Sequence, residues 1–282
     1  MIVLHTVDEI RNYHRNTVSL GLVPTMGYMH EGHLELVRRS RRENERTAVS
    51  IYVNPTQFGP TEALSRYPRD LDRDLHLLAT EGVDLVFVPN DGEMYPPDFK
   101  PNVHVSNITR LLEGERRPTH FEGVTTVVAK LFNIIQPTKA YFGQKDAQQV
   151  IVIRQMIRDL NFPLELVVCP IVREADGLAM SSRNKYLSDE QRSAAPVLFR
   201  SLQQVERIWE AGERNSEILR DALSRILANE SLARVDYVSI ADPVTLQEYR
   251  AEIPVESGAL VSMAVFFDRT RLIDNTILRP NK

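Results

Sequence analysis

The segment Gly21-Leu-Val-Pro24-Thr-Met-Gly-Tyr-Met-His30-Glu-Gly32-His33-Leu34 joins a short apolar run to a helical pattern. Its first residues, Gly21–Pro24, predict a buried strand, and the amphipathic stretch Leu34–Arg42 predicts a helix. A strand that leads directly into a helix is the unit from which parallel sheets are built. Ligands bind such sheets beyond the carboxyl ends of the strands, so this connection is a candidate ligand site.

The same alternation of strand and helix continues to about residue 170. A capping box, Thr6-Val-Asp-Glu9, predicts the start of the first helix. Further strands are predicted at Thr47–Val53, Asp84–Pro89, Ala140–Phe142 and Leu164–Val168, and further helices at Leu71–Thr80, Val124–Ile135 and Ala147–Leu160. The pattern predicts an α/β fold with a Rossmann-like, doubly wound parallel sheet that is covered by helices on both faces.

The pattern changes after Pro170, where a polar, loop-like segment spans Arg173–Tyr186. A second capping box, Ser188-Asp-Glu-Gln191, predicts the start of a long helix. Beyond it we predict a helix at Ser216–Ala228 and strands at Val235–Ile240, Ala259–Phe267 and Leu272–Leu278. The sequence therefore predicts a Rossmann-like domain over residues 1–172 and a smaller C-terminal α+β domain over residues 173–282.

Composition limits the function classes. The 282 residues carry a net charge of −4, which disfavours a nucleic-acid partner because binders of long polyanions usually have a basic surplus. A single cysteine, Cys169, excludes an internal disulfide and is predicted to be a small buried core residue. The chain shows neither a signal peptide at its start nor an apolar run long enough to span a membrane, so we expect a cytoplasmic protein.

The histidine element Met26–His33 favours a phosphate ligand. His30 and His33 are three residues apart near a helix start, so both can face one ligand. Gly32 permits close approach of the backbone, and the amide groups of a helix start favour phosphate. Imidazolium groups there can offset charge that builds up during phosphoryl or adenylyl transfer. The alternative is a surface turn with two incidental histidines.

Two later segments also suit phosphate. Met180-Ser181-Ser182-Arg183 supplies two hydroxyls and a guanidinium, although such a run taken alone is often a solvated loop. Gly143-Gln144-Lys145-Asp146 follows a predicted strand, and its lysine offers a point charge for phosphate. Asp146 either caps the next helix or accepts hydrogen bonds from a ligand.

A fourth segment, Asn54-Pro-Thr-Gln57, offers uncharged amides at a strand end. Amides suit the selection of a hydroxylated carboxylic acid by hydrogen bonds. Asn54 could instead form only an Asx-Pro turn, a reading that fits Gln57 less well. Of the other histidines, His5, His14, His76 and His104 are expected at the surface, whereas His120 is left open as a substrate contact.

These segments together carry a resemblance. The histidine element resembles the His-x-Gly-His signature of the nucleotidyltransferase superfamily, and Met180–Arg183 resembles its Lys-Met-Ser-Lys-Ser loop. The ordered motifs narrow the resemblance to the pantoate–β-alanine ligase (pantothenate synthetase) family: Pro24–His33, Val53–Phe58, Tyr67–Arg69, Phe142–Asp146 and Asp176–Asn184, with Arg117–Gly123 and Leu272–Asn275 also similar. Departures from the family pattern are mild and fall at Tyr28, Met29, Thr56 and Gln144.

The resemblance implies ATP-dependent condensation of (R)-pantoate with β-alanine through a pantoyl-adenylate, with release of AMP and pyrophosphate. It also implies Mg²⁺, a homodimer, and a C-terminal domain that acts as a lid and carries the Ser-Ser-Arg loop. The implied catalytic residues are His33, His30, Lys145 and Arg183. The implied ATP contacts are Met26, Gly27, His30, Gly32, His33, Gly143, Gln144, Lys145, Asp146, Val172, Met180, Ser181, Ser182 and Arg183.

On the acid side, the resemblance implies that pantoate and β-alanine contact Gln57, Gln149, Asn54 and Phe142. Asp74 and Asp72 are the candidate ligands of the magnesium ion. Two alternatives stay open on the sequence alone. One is another adenylyl transferase of the same superfamily, and the other is a non-catalytic nucleotide-binding protein.

Overall fold

The computed structural model describes residues 1–13, 19–59 and 64–279. The chain folds into two compact units. Unit 1 comprises Met1–Gln144 and Gln149–Pro170, and unit 2 comprises Lys145–Gln148 and Ile171–Lys282. The short stretch Lys145–Gln148 thus groups with the C-terminal part of the chain. The functional division into a substrate-binding domain and a lid domain stays a prediction.

Unit 1 is built on a six-stranded parallel sheet. Its strands are β1 (Ile2–Leu4), β2 (Leu20–Thr25), β3 (Arg46–Ile51), β4 (Leu85–Phe87), β5 (Lys139–Gly143) and β6 (Glu165–Cys169), in the spatial order β1-β4-β3-β2-β5-β6. Leu22 of β2 pairs with Ala48 of β3 on one side and with Ala140 of β5 on the other. The strand order therefore reverses at β2, and the crevice at such a reversal is where this type of sheet binds ligands.

Helices cover both faces of this sheet. The α-helices described before β6 are α1 (Val7–Tyr13), α2 (Glu31–Glu43), α3 (Leu71–Thr80), α4 (Asp91–Met94), α5 (Glu113–Arg116), α6 (His120–Ile135) and α7 (Ala147–Asp159). Successive residues of β5 enter different cores: Ala140 and Phe142 pack with residues of α6 and α7, whereas Tyr141 packs with residues of α2 and α3. Cys169, 1% exposed, also lies in the second core, as predicted. The predicted doubly wound fold is confirmed.

Unit 2 contains α8 (Asp189–Ala194), α9 (Val197–Glu210) and α10 (Ser216–Ala228), with β7 (Ala233–Ala241), β8 (Ala259–Phe267) and β9 (Thr270–Leu278). The three strands form an antiparallel sheet in the order β7-β8-β9. Residues of α9 and α10 pack with residues of all three strands in one core. This small antiparallel sheet with its helices confirms the predicted C-terminal α+β architecture.

The structure differs from the sequence-based expectation after Ser188 and at the edge of the parallel sheet. The long helix predicted after Ser188 is wrong, because α8 ends at Ala194 and α9 starts after Pro196, which has no N–H to continue the helix. Its capping box is present, since Gln191 donates its backbone N–H to the Ser188 hydroxyl at 3.3 Å. Strand β1 was not predicted, since its three residues at the sheet edge show no clear alternation.

The capping box at Thr6 is likewise present: the backbone N–H of Thr6 donates to the Glu9 carboxylate at 2.9 Å, and that of Glu9 donates to the Thr6 hydroxyl at 3.3 Å. Within the described ranges, no helix has the length and apolar character needed to cross a membrane.

Candidate active site

The loop after β2 is held by helix α3. Gly27 and Tyr28 both have positive φ angles, 81° and 53°, so the chain turns sharply there. The Asp74 carboxylate accepts the backbone N–H of Tyr28 at 2.6 Å and that of Met29 at 2.7 Å. Arg73 donates to the carbonyl oxygen of Met29 at 2.9 Å. Two adjacent residues of α3 therefore fix the backbone that leads into His30.

The two histidines of this loop lie face to face. His30 immediately precedes α2, and its ring stacks on that of His33 with centroids 4.0 Å apart. The backbone N–H of His30 donates to Nδ1 of His33 at 3.4 Å. Because a backbone N–H can only donate, Nδ1 of neutral His33 is the acceptor and Nε2 carries the proton. This tautomer suits His33 as a donor of a proton or hydrogen bond through Nε2.

Asp74 and Asp72 do not fit a shared magnesium ion. The Asp74 side chain is 1% exposed and both of its oxygens accept backbone N–H groups, whereas Asp72 is exposed to solvent. Residues two apart on a helix project to opposite sides, so these carboxylates cannot converge. Burial raises the pKa of Asp74, and the two N–H groups act in the opposite direction. Among the described residues, no group of three or more His, Cys, Asp or Glu side chains could hold a metal ion.

Asn54 follows β3 and uses its whole amide inside the protein. Its Nδ2 donates to Gln57 Oε1 and to the Gly123 carbonyl oxygen, each at 3.1 Å. Its Oδ1 accepts from the Tyr95 hydroxyl at 2.9 Å and from the Thr56 hydroxyl at 3.0 Å. Asn54 is 1% exposed, so its geometry suits the positioning of Gln57 better than direct contact with a substrate.

His120 of α6 and the nearby Arg117 hold the backbone of Gln57. Nδ1 of His120 lies 2.9 Å from the Gln57 carbonyl oxygen, which makes Nδ1 the donor, and Arg117 donates to the same oxygen at 3.4 Å. A Cβ atom added to Gly123 would lie 2.6 Å from the Gln57 nitrogen, so only glycine permits this close approach. The sequence left open whether His120 contacts a substrate. In the structure it contacts the backbone of Gln57, a predicted substrate-binding residue.

The acid-side and histidine elements meet in unit 1. The Gln57 side chain donates from Nε2 to the sulfur of Met26 at 3.1 Å. Met26 belongs to the loop that leads to His30, and His33 follows in the first turn of α2. Gln57 is 9% exposed. The structure thus brings a predicted pantoate-binding amide next to a predicted ATP-binding residue.

The end of β5 places the third element. Phe142 is 5% exposed and packs in the hydrophobic core of unit 1. A Cβ atom added to Gly143 would meet nothing within 4 Å, so the fold does not require glycine there and the space beside it is open. Gln144 and Asp146 bound a 3-10 turn, and Gln149 lies partly exposed in the first turn of α7.

Unit 2 gathers the remaining predicted phosphate contacts. The backbone N–H of Met180 donates to the carbonyl oxygen of Val172 at 3.0 Å. The Ser181 hydroxyl accepts the backbone N–H of Arg183 at 3.2 Å and caps a 3-10 turn, Ser182–Tyr186. Lys145, Ser181 and Arg183 line one small pocket of this unit. Lys145 Nζ lies 3.5 Å from Asp146 Oδ1.

Several residues of the site framework could not be assigned from the sequence. Asp74 was predicted as a metal ligand rather than as the residue that holds the loop before His30, and no local motif singles out Tyr95. Arg117–Gly123 and Leu272–Asn275 stood out only as family-like motifs, without a role. His5, His76 and His104 are exposed as expected, and His14 lies outside the described residues.

Comparisons with known proteins identify the family of this chain. The family described as pantoate-beta-alanine ligase matches residues 2–277. The chain is 61% identical to pantothenate synthetase of Roseiflexus castenholzii over 279 residues, which covers 99% of each protein. It is 59% identical to that of Chloroflexus aurantiacus over 278 residues, which covers 99% of this chain and 98% of the relative.

Solved structures are also similar over the full length. Pantothenate synthetase from Thermus thermophilus has 48% identity and a TM-score of 0.94, with 99% of this chain and 100% of that chain covered. Pantoate-beta-alanine ligase from Francisella tularensis, complexed with beta-gamma ATP and beta-alanine, has 31% identity and a TM-score of 0.80, with 98% and 97% covered. On this evidence the chain belongs to the pantoate-β-alanine ligase family of enzymes.

Proposed function

We propose that this enzyme condenses (R)-pantoate with β-alanine through a pantoyl-adenylate. In this proposal, some of the residues described above bind ATP and others bind pantoate and β-alanine. The observation that carries the proposal is the 3.1 Å contact between Gln57 and Met26 in unit 1. It puts an uncharged amide, suited to a hydroxylated acid, beside the histidine loop that suits ATP. The Francisella tularensis relative is complexed with beta-gamma ATP and beta-alanine, which supports ATP and β-alanine as two of the three substrates.

In the first half-reaction, a carboxylate oxygen of pantoate attacks the α-phosphorus of ATP. A bond forms between that oxygen and phosphorus, and the bond to the bridging oxygen breaks as pyrophosphate leaves. Nε2–H of His33 donates to the phosphate oxygens as negative charge develops there. His30, Lys145 and Arg183 supply further positive charge or donors, which act most strongly where water is excluded.

In the second half-reaction, the neutral amine of β-alanine attacks the activated carbonyl carbon. The amide bond forms, the carbon–oxygen bond to the phosphate breaks, and AMP leaves with that oxygen. The attacking nitrogen releases one proton to the departing phosphate or to water. Gln57 and Gln149 hold pantoate during both steps, and Gln57 also reaches β-alanine. Well-oriented positioning of two reactants can supply up to roughly 7–11 kcal/mol of the barrier.

The residues proposed to contact ATP belong to the histidine loop, the turn after β5 and the Ser-Ser-Arg loop. Mg²⁺ would be held mainly by the ATP phosphates, its usual partners in such sites, and would offset part of their negative charge. We assign it no protein ligand, because Asp72 and Asp74 do not fit. We further propose a homodimer in the cytoplasm, in line with the family resemblance.

ATP–pyrophosphate exchange tests the first half-reaction. We expect labelled pyrophosphate to enter ATP only when pantoate is present, because the adenylate must form before the reaction can reverse. Addition of β-alanine should then release AMP and pantothenate. Exchange that runs equally well without pantoate would contradict the proposal and favour another adenylyl transferase. An absence of any exchange, together with ATP binding, would favour a non-catalytic nucleotide-binding protein.

A further inference from the structure

Strand β9 contacts both segments that carry the predicted phosphate cations of unit 2. The side-chain amide of Asn275 donates to the carbonyl oxygen of Lys145 at 2.9 Å. The adjacent residue, Asp274, forms a two-pronged ion pair with Arg173, with nitrogen–oxygen distances of 2.7 and 3.0 Å. Arg173 opens the polar loop that leads to Ser181 and Arg183. Two neighbouring residues of one strand therefore hold both cationic segments.

The Arg173–Asp274 pair is buried and held by several contacts. Asp274 is 2% exposed, and burial raises its pKa while the Arg173 guanidinium lowers it. Arg173 also donates to the carbonyl oxygen of Gly177 at 3.0 Å, and its guanidinium lies 4.3 Å from the centre of the Phe199 ring. Gly177 has a φ of 92° and lies against this ring, so it cannot carry a side chain. The bidentate geometry fixes the direction of the loop at this end.

Asn275 links that pair to Lys145. It is 3% exposed, and its backbone N–H donates to Asp274 Oδ1 at 2.8 Å. A displacement of the Asp274 carboxylate would therefore also displace Asn275, whose side chain holds the Lys145 backbone. Lys145, Ser181, Arg183 and Asp274 all line the same pocket of unit 2. The dipeptide thus contacts the backbone of Lys145 and the start of the segment that leads to the Ser-Ser-Arg loop.

We infer that Asp274 and Asn275 are positioning residues for adenylate formation. Their part is to hold the Lys145 ammonium and the Ser181–Arg183 loop at the spacing that the phosphates of ATP require. This inference rests on the proposed function, since it assigns a task to those two segments. Asn275 acts through the Lys145 backbone, because its amide is directed at that carbonyl oxygen and only 3% of the residue is exposed.

A double-mutant cycle between Asn275 and Lys145 tests this. We expect Asn275→Ala to lower the rate of pantoate-dependent pyrophosphate exchange roughly tenfold, since small displacements of a catalytic group are costly. In a Lys145→Ala background the same substitution should cost less than about twofold, because the group it positions is gone. The effect should fall on the exchange rate more than on the KM for ATP. A purely structural role would reduce the rate equally in both backgrounds.

Ser262 provides the matched control. It faces Asn275 across the β8–β9 pair and is 7% exposed, so its removal deletes a buried polar group at the same place in the sheet. Ser262→Ala should change exchange less than about twofold in either background. If Asn275→Ala does not fold, Asn275→Ser replaces it, because a serine hydroxyl is too short to replace the amide.

Equal losses in both backgrounds, or an Asn275→Ala rate within twofold of the wild-type rate, would overturn the inference. In either case, the exchange activity of the wild-type enzyme tests the proposed function separately. Pantoate-dependent exchange by the wild-type enzyme would leave that function standing, whereas pantoate-independent exchange would remove it regardless of the variants.

Discussion

Turnover of ATP, pantoate and β-alanine is expected to fall by roughly 10²–10⁴-fold when His33 is replaced by alanine. The reason lies in its tautomer: Nδ1 accepts the backbone N–H of His30 at 3.4 Å, so Nε2 carries the proton that can meet developing charge. Steady-state rates at saturating substrates, with the exchange rate measured separately, show which half-reaction is affected. We expect both the exchange rate and overall turnover to fall together.

Two further variants sharpen this result. His33→Gln retains an N–H donor near the position of Nε2 but cannot release a proton as readily, so an intermediate rate would point to electrostatic stabilisation. His76→Ala is the control, since His76 lies exposed on α3 and belongs to none of the proposed substrate-binding segments. A loss of less than tenfold in His33→Ala would remove His33 from the mechanism.

The second large effect is expected for Asp74→Asn. The asparagine keeps one oxygen acceptor but turns an NH₂ group toward a backbone N–H that the carboxylate now holds at 2.6–2.7 Å. A buried donor left without its acceptor costs about 1–3 kcal/mol, and here a repulsive contact is added. We expect the melting temperature to fall by roughly 3–10 °C, measured by calorimetry. Turnover should fall as well, because this carboxylate fixes the loop that carries His30 and His33.

Asp72→Asn is the matched variant for stability, since it removes the same charge from an exposed position on the same helix. Its melting temperature should stay within about 2 °C of the wild-type value. In both variants the Mg²⁺ concentration for half-maximal activity should match the wild type at saturating ATP. A tenfold rise in that requirement for Asp74→Asn, with stability unchanged, would instead identify Asp74 as a metal ligand.

Sequence patterns predicted the fold correctly where it depends on residues close together in the chain. The strand and the helix on either side of His30 each show a regular spacing of apolar residues. The segment Leu71–Thr80 shows helical spacing, and the helix has the predicted bounds. The parallel sheet followed from the alternation of short apolar runs with helices. Each of these predictions depends on the pattern of neighbouring residues, which can be read from the amino-acid sequence.

The supporting contacts could not be predicted because their partners are distant along the chain. Asp74 lies 45 residues from Met29, and Asn54 lies 69 residues from Gly123. A carboxylate on a helix can bind a metal, pair with a cation or hold a backbone, and only the fold selects among these. The same holds for Asn54, whose amide is consumed by contacts with Tyr95, Gly123 and Gln57.

The central claim is that pantoate is activated as its adenylate, and transfer of an oxygen label tests it most directly. The enzyme is supplied with pantoate that carries ¹⁸O in both carboxylate oxygens, together with ATP and β-alanine. If the carboxylate attacks the α-phosphorus and AMP later leaves with the bridging oxygen, each AMP formed should contain one ¹⁸O atom. Pyrophosphate should contain none, as read by mass spectrometry or ³¹P NMR. Unlabelled AMP, or label in inorganic phosphate with ADP as the other product, would contradict the account.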